Sequence, residues 1–144
     1  PLYMKNNEKS PKDEIVLGVV KNNKDRVLVI KRLWEEKSLD GSAHLTWAFP
    51  GGQIDEGETR EEALVREVRN ETGFKVKVLK KISERVHPQF GIKINYFSCE
   101  LVPSGMRPIV DVHEVESIKW VPTNELKDYF TTDLDPGVAK FLNL

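Results

Sequence analysis

The apolar residues of this chain fall into short blocks with two rhythms. Glu14 to Lys21 (EIVLGVVK) and Arg26 to Leu33 (RVLVIKRL) are rich in Val, Ile and Leu. Asn22-Asn23-Lys24-Asp25 between them supplies turn residues, so the pattern predicts a hairpin. Trp34 to His44 is polar, with Asp40-Gly41-Ser42 at its centre, and reads as a loop long enough to carry function. Leu45 to Phe49 is a short apolar run that Pro50-Gly51-Gly52 ends. Phe74 to Lys81 (FKVKVLKK) alternates, the signature of a half-buried strand. Ile82 to Val86 and Ile92 to Leu101 read as further strands, broken by a turn around Pro88 to Gly91. Pro103-Ser104-Gly105 and Pro108 mark a loop, and Glu116 to Val121 (ESIKWV) is again a strand.

The second rhythm is helical. In residues 59–72 (TREEALVREVRNET), Ala63, Leu64 and Val68 recur at helical spacing among charges. Thr59 with Glu62 resembles a capping box, and Gly73 sits where a helix-ending glycine belongs. Pro122 begins a short helical piece to Lys127. Pro136 to Leu142 predicts a terminal helix with proline in its first turn. Strands, one amphipathic helix, more strands and a helical tail make an α+β protein with a mixed sheet.

Composition narrows the picture. A length of 144 residues fits one domain, 14–144, behind a flexible N-terminal segment, 1–13. Met4 reads as a start, so Pro1-Leu2-Tyr3 is set aside from fold reasoning. Charged residues at 31% and hydrophobic residues at 39% describe a globular chain. The formal net charge of -1 gives no support for nucleic-acid or membrane-surface binding through bulk charge. Cys99 is the single cysteine, which excludes an internal disulfide framework and a cysteine-based zinc cluster. It is compatible with a reducing cytosol, and a cytoplasmic location is expected. No apolar run reaches the ~20 residues of a membrane span. Pro1 to Lys12 lacks the apolar centre of a signal peptide.

The candidate chemistry lies on the helix of residues 59–72. Glu67, Asn70 and Glu71 stand at i, i+3 and i+4 and share a face. That face is distinct from the Ala63, Leu64 and Val68 stripe. Two carboxylates and an amide oxygen are donors for a hard cation such as Mg²⁺. Glu67 and Glu71 alone are a mildly repelling pair, which a cation would relieve. Gly51-Gly52 and Gly57 just upstream allow a close backbone approach, putting a carbonyl within reach of such an ion.

Gly52-x5-Glu58-x7-Arg66-Glu67-Val68-x-Asn70-Glu71-x-Gly73-Phe74 resembles the Nudix box, G-x5-E-x7-R-E-U-x-E-E-x-G-U, where U is bulky and apolar. Eight of the nine specified positions match, counting Phe74 as the last U. Trp47-Ala48-Phe49-Pro50-Gly51-Gly52 resembles the segment leading into that box. Ser117 to Val121 followed by Glu125-Leu126 resembles the family's late strand and turn, so residues 14–143 are covered. The resemblance implies an α/β/α sandwich around a mixed sheet. It also implies a hydrolase of nucleoside diphosphates linked to another moiety, using Mg²⁺ or Mn²⁺. Expected partners are the nucleotide-derivative substrate alone, with no membrane and no stable nucleic-acid complex, in a monomer or homodimer.

Carried over by residue, the resemblance makes Glu67 a metal ligand or general base and Glu71 a metal ligand. It gives the Gly51 carbonyl to the metal, makes Arg66 the residue that orients the carboxylates, and makes Glu58 a support for the loop. Asn70 departs from the family, which has Glu there; it keeps an oxygen ligand but loses a charge and cannot act as a base. Glu114 stands about where the family draws a further acid from outside the box. Glu67, Glu71 and Glu114 are therefore the candidate bases. Lys31, Arg32, Arg60 and Arg85 are candidate phosphate contacts, with Arg32 and Glu58 taken as substrate-binding. The single short domain resembles members acting on nucleoside triphosphates. Leu134 falls where those members carry an Asn that reads a purine, so ADP-ribose and dinucleoside polyphosphates stay open as substrates. Asn70 also leaves open a weakened module that senses a nucleotide rather than cleaving it.

Overall fold

A computed structural model describes residues 14–103, 107–110 and 113–144. The segment 1–13, expected to be flexible, lies outside them, as do Ser104 and Gly105 of the expected loop.

The strands are β1 (Glu14–Val20), β2 (Arg26–Lys37), β3 (His44–Ala48), β4 (Gly51–Gln53), β5 (Val76–Val86), β6 (Lys93–Leu101) and β7 (Val115–Pro122). The helices are α1 (Arg60–Thr72), α2 (Leu126–Tyr129) and α3 (Pro136–Phe141), with a 3-10 turn at Thr123–Glu125 before α2. One sheet has the order β4-β1-β6-β5 and the other β3-β2-β7. The first is mixed, because β1 runs parallel to β6 while its other pairs are antiparallel.

Strand β1 explains the layering. Its side chains alternate, so Ile15, Leu17 and Val19 enter one core and Val16 and Val20 the other. Val16 and Val20 meet Leu28 and the Ala63, Leu64 and Val68 stripe of α1. Ile15 and Leu17 meet Leu126 of α2, Val138 of α3 and Leu142. The result is the expected α/β/α sandwich around a mixed sheet. Among the described residues, no helix is long and apolar enough to cross a membrane.

Four sequence expectations change. β1 and β2 do not form the expected hairpin: they lie in different sheets and meet only in a Lys21–Val27 bridge, because β1 takes β4 and β6 as its partners and β2 takes β3 and β7. Strand β2 continues to Lys37, four residues past Leu33, because Glu36 and Lys37 pair with Leu45 and His44 after a register shift. The polar Trp34–His44 loop therefore shrinks to the turn after β2. Residues 74–81 and 82–86 form one strand, β5, whose register shifts twice against β6. Gly51-Gly52 does not simply end β3 but opens β4, where Gly51 pairs with Leu17 and Gly52 with Val16.

Helix α1 is capped as expected. The Thr59 hydroxyl accepts from the Glu62 N–H at 3.0 Å, and the Glu62 carboxylate accepts from the Thr59 N–H at 2.9 Å. Gly73 closes the helix at φ 79°, a left-handed conformation that glycine adopts without strain.

Candidate active site

Helix α1 buries its apolar stripe and turns a carboxylate face toward β4. The Glu67 side chain is 14% exposed, and Glu71 is only 3% exposed. A carboxylate so buried needs donors. Gly51 supplies one: its N–H reaches Glu71 Oε1 at 2.8 Å. Gly51 has φ 152°, and a Cβ there would lie 2.0 Å from the Val16 carbonyl oxygen, so only glycine fits this junction.

Arg66 organises the loop before the helix. Its Nε and Nη2 donate to the two oxygens of Glu58 at 2.7 and 2.9 Å, and Nη2 also donates to the Gln53 carbonyl at 3.1 Å. Asp55 lies at 3.4 Å and Glu67 at 3.6 Å. Glu58 Oε1 in turn accepts from the Asp55 N–H at 2.9 Å. The Arg66 hydrogen bond holds the Glu58 carboxyl below the usual carboxylate range, and Glu58 pushes the Arg66 guanidinium up. Glu58 and Arg66 thus form a fork-to-fork brace under Glu67.

The oxygen donors suit a hard cation. Mg²⁺ commonly takes one or two protein carboxylates and completes its shell with water and phosphate oxygens. Glu67, Glu71, the Asn70 amide and the Gly51 carbonyl could supply the protein's share. Among the described residues, no three Asp, Glu, His or Cys side chains gather into a cluster that could hold a metal. Glu114 is exposed and lies with Arg32, Trp34 and His113 around a separate recess, where its carbonyl accepts from the Leu33 N–H at 2.9 Å.

The candidate phosphate contacts have anionic neighbours. Lys31 pairs with Glu116 at 3.0 Å and Arg60 with Glu14 at 2.8 Å. Arg32 is buried and points at Glu36 at 3.4 Å and at the Trp34 carbonyl at 3.3 Å. Arg85 pairs with Asp133 and Asp135.

A small cavity opens on the other face of β1. Trp47, Phe49, Phe90, Tyr96 and Phe130 give it aromatic walls, with His87, Asp133 and Asp135 among its polar lining. Leu17 also lines it, and Leu17 is the register partner of Gly51. The cavity and the Glu71 carboxylate therefore meet at one strand pair. Sequence reasoning missed this cavity, whose walls come from β1, β3 and the residues after it, β6 and the loop before it, and the C-terminal segment. The one local hint was Asp133-Leu134-Asp135-Pro136, an acidic pair at the start of a helix.

A family model for the NUDIX domain matches residues 11–143. A putative 8-oxo-dGTP diphosphatase of Bacillus subtilis is 29% identical over 125 residues, spanning 87% of this chain and 76% of that protein. An RNA pyrophosphohydrolase of a Nitratiruptor species is 33% identical over 112 residues, spanning 67% of this chain and 72% of the relative. The fold is similar to a NUDIX hydrolase from Nitrosomonas europaea, with a TM-score of 0.66 at 20% identity over 90% of this chain and 85% of that one.

Proposed function

The chain belongs to the NUDIX domain family and is a Nudix pyrophosphohydrolase; we propose that it cleaves the pyrophosphate bond of a nucleoside diphosphate linked to another moiety, with a nucleoside triphosphate as the leading substrate, and that it requires Mg²⁺ or Mn²⁺. The observation that carries this reading is the Glu71 carboxylate, buried on the α1 face and fixed by the Gly51 N–H at 2.8 Å.

Glu71, Glu67, the Asn70 amide oxygen and the Gly51 carbonyl would hold the cation. When bound, it supplies charge neutralisation on phosphate oxygens and lowers the pKa of water. Glu67 is the less enclosed of the two helix carboxylates and is assigned the proton of the attacking water. Glu71 is assigned to positioning. Arg66 touches neither water nor phosphate in this assignment; it holds Glu58 and keeps the loop against Glu67. Glu114, with Arg32 in the same recess, is retained as the candidate further acid.

Asn70 favours a second reading, a weakened module that binds nucleotide without turning it over. Product release from a nucleotide panel with Mg²⁺ or Mn²⁺ separates the two. Turnover supports the hydrolase; tight binding without turnover supports the sensor.

A further inference from the structure

The segment before β7 is strung between the end of α1 and the end of β2. Helix α1 leaves its last carbonyls without helical partners, and Asn70 is among them. The Val110 N–H donates to the Asn70 carbonyl at 2.8 Å, and the Arg107 N–H donates to the Gly73 carbonyl at 3.2 Å. On the other side, two donors of β2 take consecutive carbonyls. The Trp34 indole N–H donates to the His113 carbonyl at 3.1 Å, and the Leu33 N–H donates to the Glu114 carbonyl at 2.9 Å. Trp34 is 69% exposed, so its ring adds little to the core, and its directed contact is this N–H.

A register shift separates the two acids of this segment. Lys31 pairs with Ser117 but Arg32 pairs with Val115, so Glu116 is the extra residue of a bulge. Glu116 is engaged by Lys31 at 3.0 Å. Glu114 instead lines the recess with Arg32 and Trp34, and among the described residues no hydrogen bond or ion pair engages its carboxylate. That side chain hangs from backbone held by Trp34 and Leu33 on one side and by the Arg32–Val115 pairing on the other. Where the Glu114 carboxylate stands therefore depends on these bonds. The Leu33 donor is main chain and any residue would supply it; the Trp34 donor belongs to this side chain alone.

We propose that Trp34 is a positioning residue for the reaction: its indole N–H fixes the His113 carbonyl and so sets where the Glu114 carboxylate stands beside Arg32. The inference rests on the pyrophosphohydrolase reading with Glu114 as its further acid. It gives the exposed ring a role through its N–H rather than through stacking on the substrate.

The test is a double-mutant cycle in steady-state kinetics, with melting midpoints measured alongside. The substrate is whichever nucleoside triphosphate, ADP-ribose or dinucleoside polyphosphate the wild-type protein cleaves fastest with Mg²⁺ or Mn²⁺. Glu114→Gln is expected to lower kcat by about 100-fold or more. Trp34→Phe keeps an aromatic ring but removes the N–H; it is expected to lower kcat about 3- to 10-fold with KM unchanged, as for one lost hydrogen bond. Beside Glu114→Gln, Trp34→Phe is expected to have no further effect. Should Trp34→Phe fail to fold, benzothienylalanine placed at residue 34 alone, with sulfur where the indole has N–H, carries the same expectation. A folded Trp34→Phe protein with the wild-type kcat would overturn the inference. So would a loss that persists in full beside Glu114→Gln, or one that falls on KM, as stacking on the substrate would give. Glu114→Gln at the wild-type rate would overturn the inference and leave the pyrophosphohydrolase reading standing. A wild-type protein inert toward the whole panel would overturn that reading itself.

Discussion

The Gly51 N–H donates to Glu71 Oε1 at 2.8 Å, joining the start of β4 to the carboxylate face of α1. This bond ties strand pairing to chemistry, because Gly51 also pairs with Leu17 of β1. A shift of β4 against β1 would move the donor away from the buried carboxylate and leave it under-satisfied.

Gly51→Ala is therefore expected to be severe. The new methyl would meet the Val16 carbonyl at 2.0 Å and Leu17 Cα at 2.8 Å, both backbone atoms. A loss of roughly 3 kcal/mol or more is expected. Gly57→Ala is the control: at φ 85° with nothing near its Cβ position, it should cost only about 1–2 kcal/mol of left-handed strain. Denaturant melts of the two variants check this, and equal losses would contradict it.

The two faces of α1 should fail differently. Leu64 is fully buried, so Leu64→Ala is expected to cost roughly 2–5 kcal/mol while its folded molecules still turn over substrate. Glu67→Gln makes no cavity and relieves repulsion with Glu71, so its melting temperature without metal should stay near wild type. Its turnover should collapse. Melting in chelator beside turnover per folded molecule decides. A Glu67→Gln protein that unfolds yet works when folded would make Glu67 structural.

The Glu58–Arg66 brace carries a pH signature. Arg66 lowers the Glu58 pKa below its ordinary 4.5. The contribution of this carboxylate is then complete above about 4.5 and is lost as pH falls through the lowered folded value. Arg66→Ala should lower stability at neutral pH and flatten the acid limb of the stability curve. Thermal melts between about pH 7 and about pH 3 measure the slope. An unchanged acid limb would show that the brace does not govern it.

Asn70 is the one box position that departs from the family. Asn70→Glu adds an anionic oxygen beside Glu67 and Glu71 and is expected to tighten Mg²⁺ or Mn²⁺ binding. Calorimetric titration tests this directly. Unchanged or weaker binding would separate residue 70 from the cation.

The sequence made α1 legible because three local signals agreed: the Thr59–Glu62 box, the apolar stripe and Gly73. Strand extents were harder. The end of β2 is polar, and only pairing with β3 makes Glu36 and Lys37 strand. Strand β4 is built on two glycines, which carry no side-chain rhythm. The carboxylate face was readable because its residues are close in sequence and share one helix. The aromatic cavity was not, since Leu17, Trp47, Tyr96 and Asp133 meet only through the fold. Arg85 shows the same limit: its charge was visible, but its partners Asp133 and Asp135 come from the far end of the chain.

The central claim is that the Glu67–Glu71 face of α1 hydrolyses a nucleotide pyrophosphate bond with a divalent cation. Product release from a panel of nucleoside triphosphates, ADP-ribose and dinucleoside polyphosphates, with Mg²⁺ or Mn²⁺, tests it most directly when run on the wild-type protein and Glu71→Gln together. The expected result is metal-dependent cleavage of at least one of these by the wild-type protein, abolished by chelator and reduced at least ~100-fold in Glu71→Gln. Full turnover in excess chelator, or by Glu71→Gln, would contradict it.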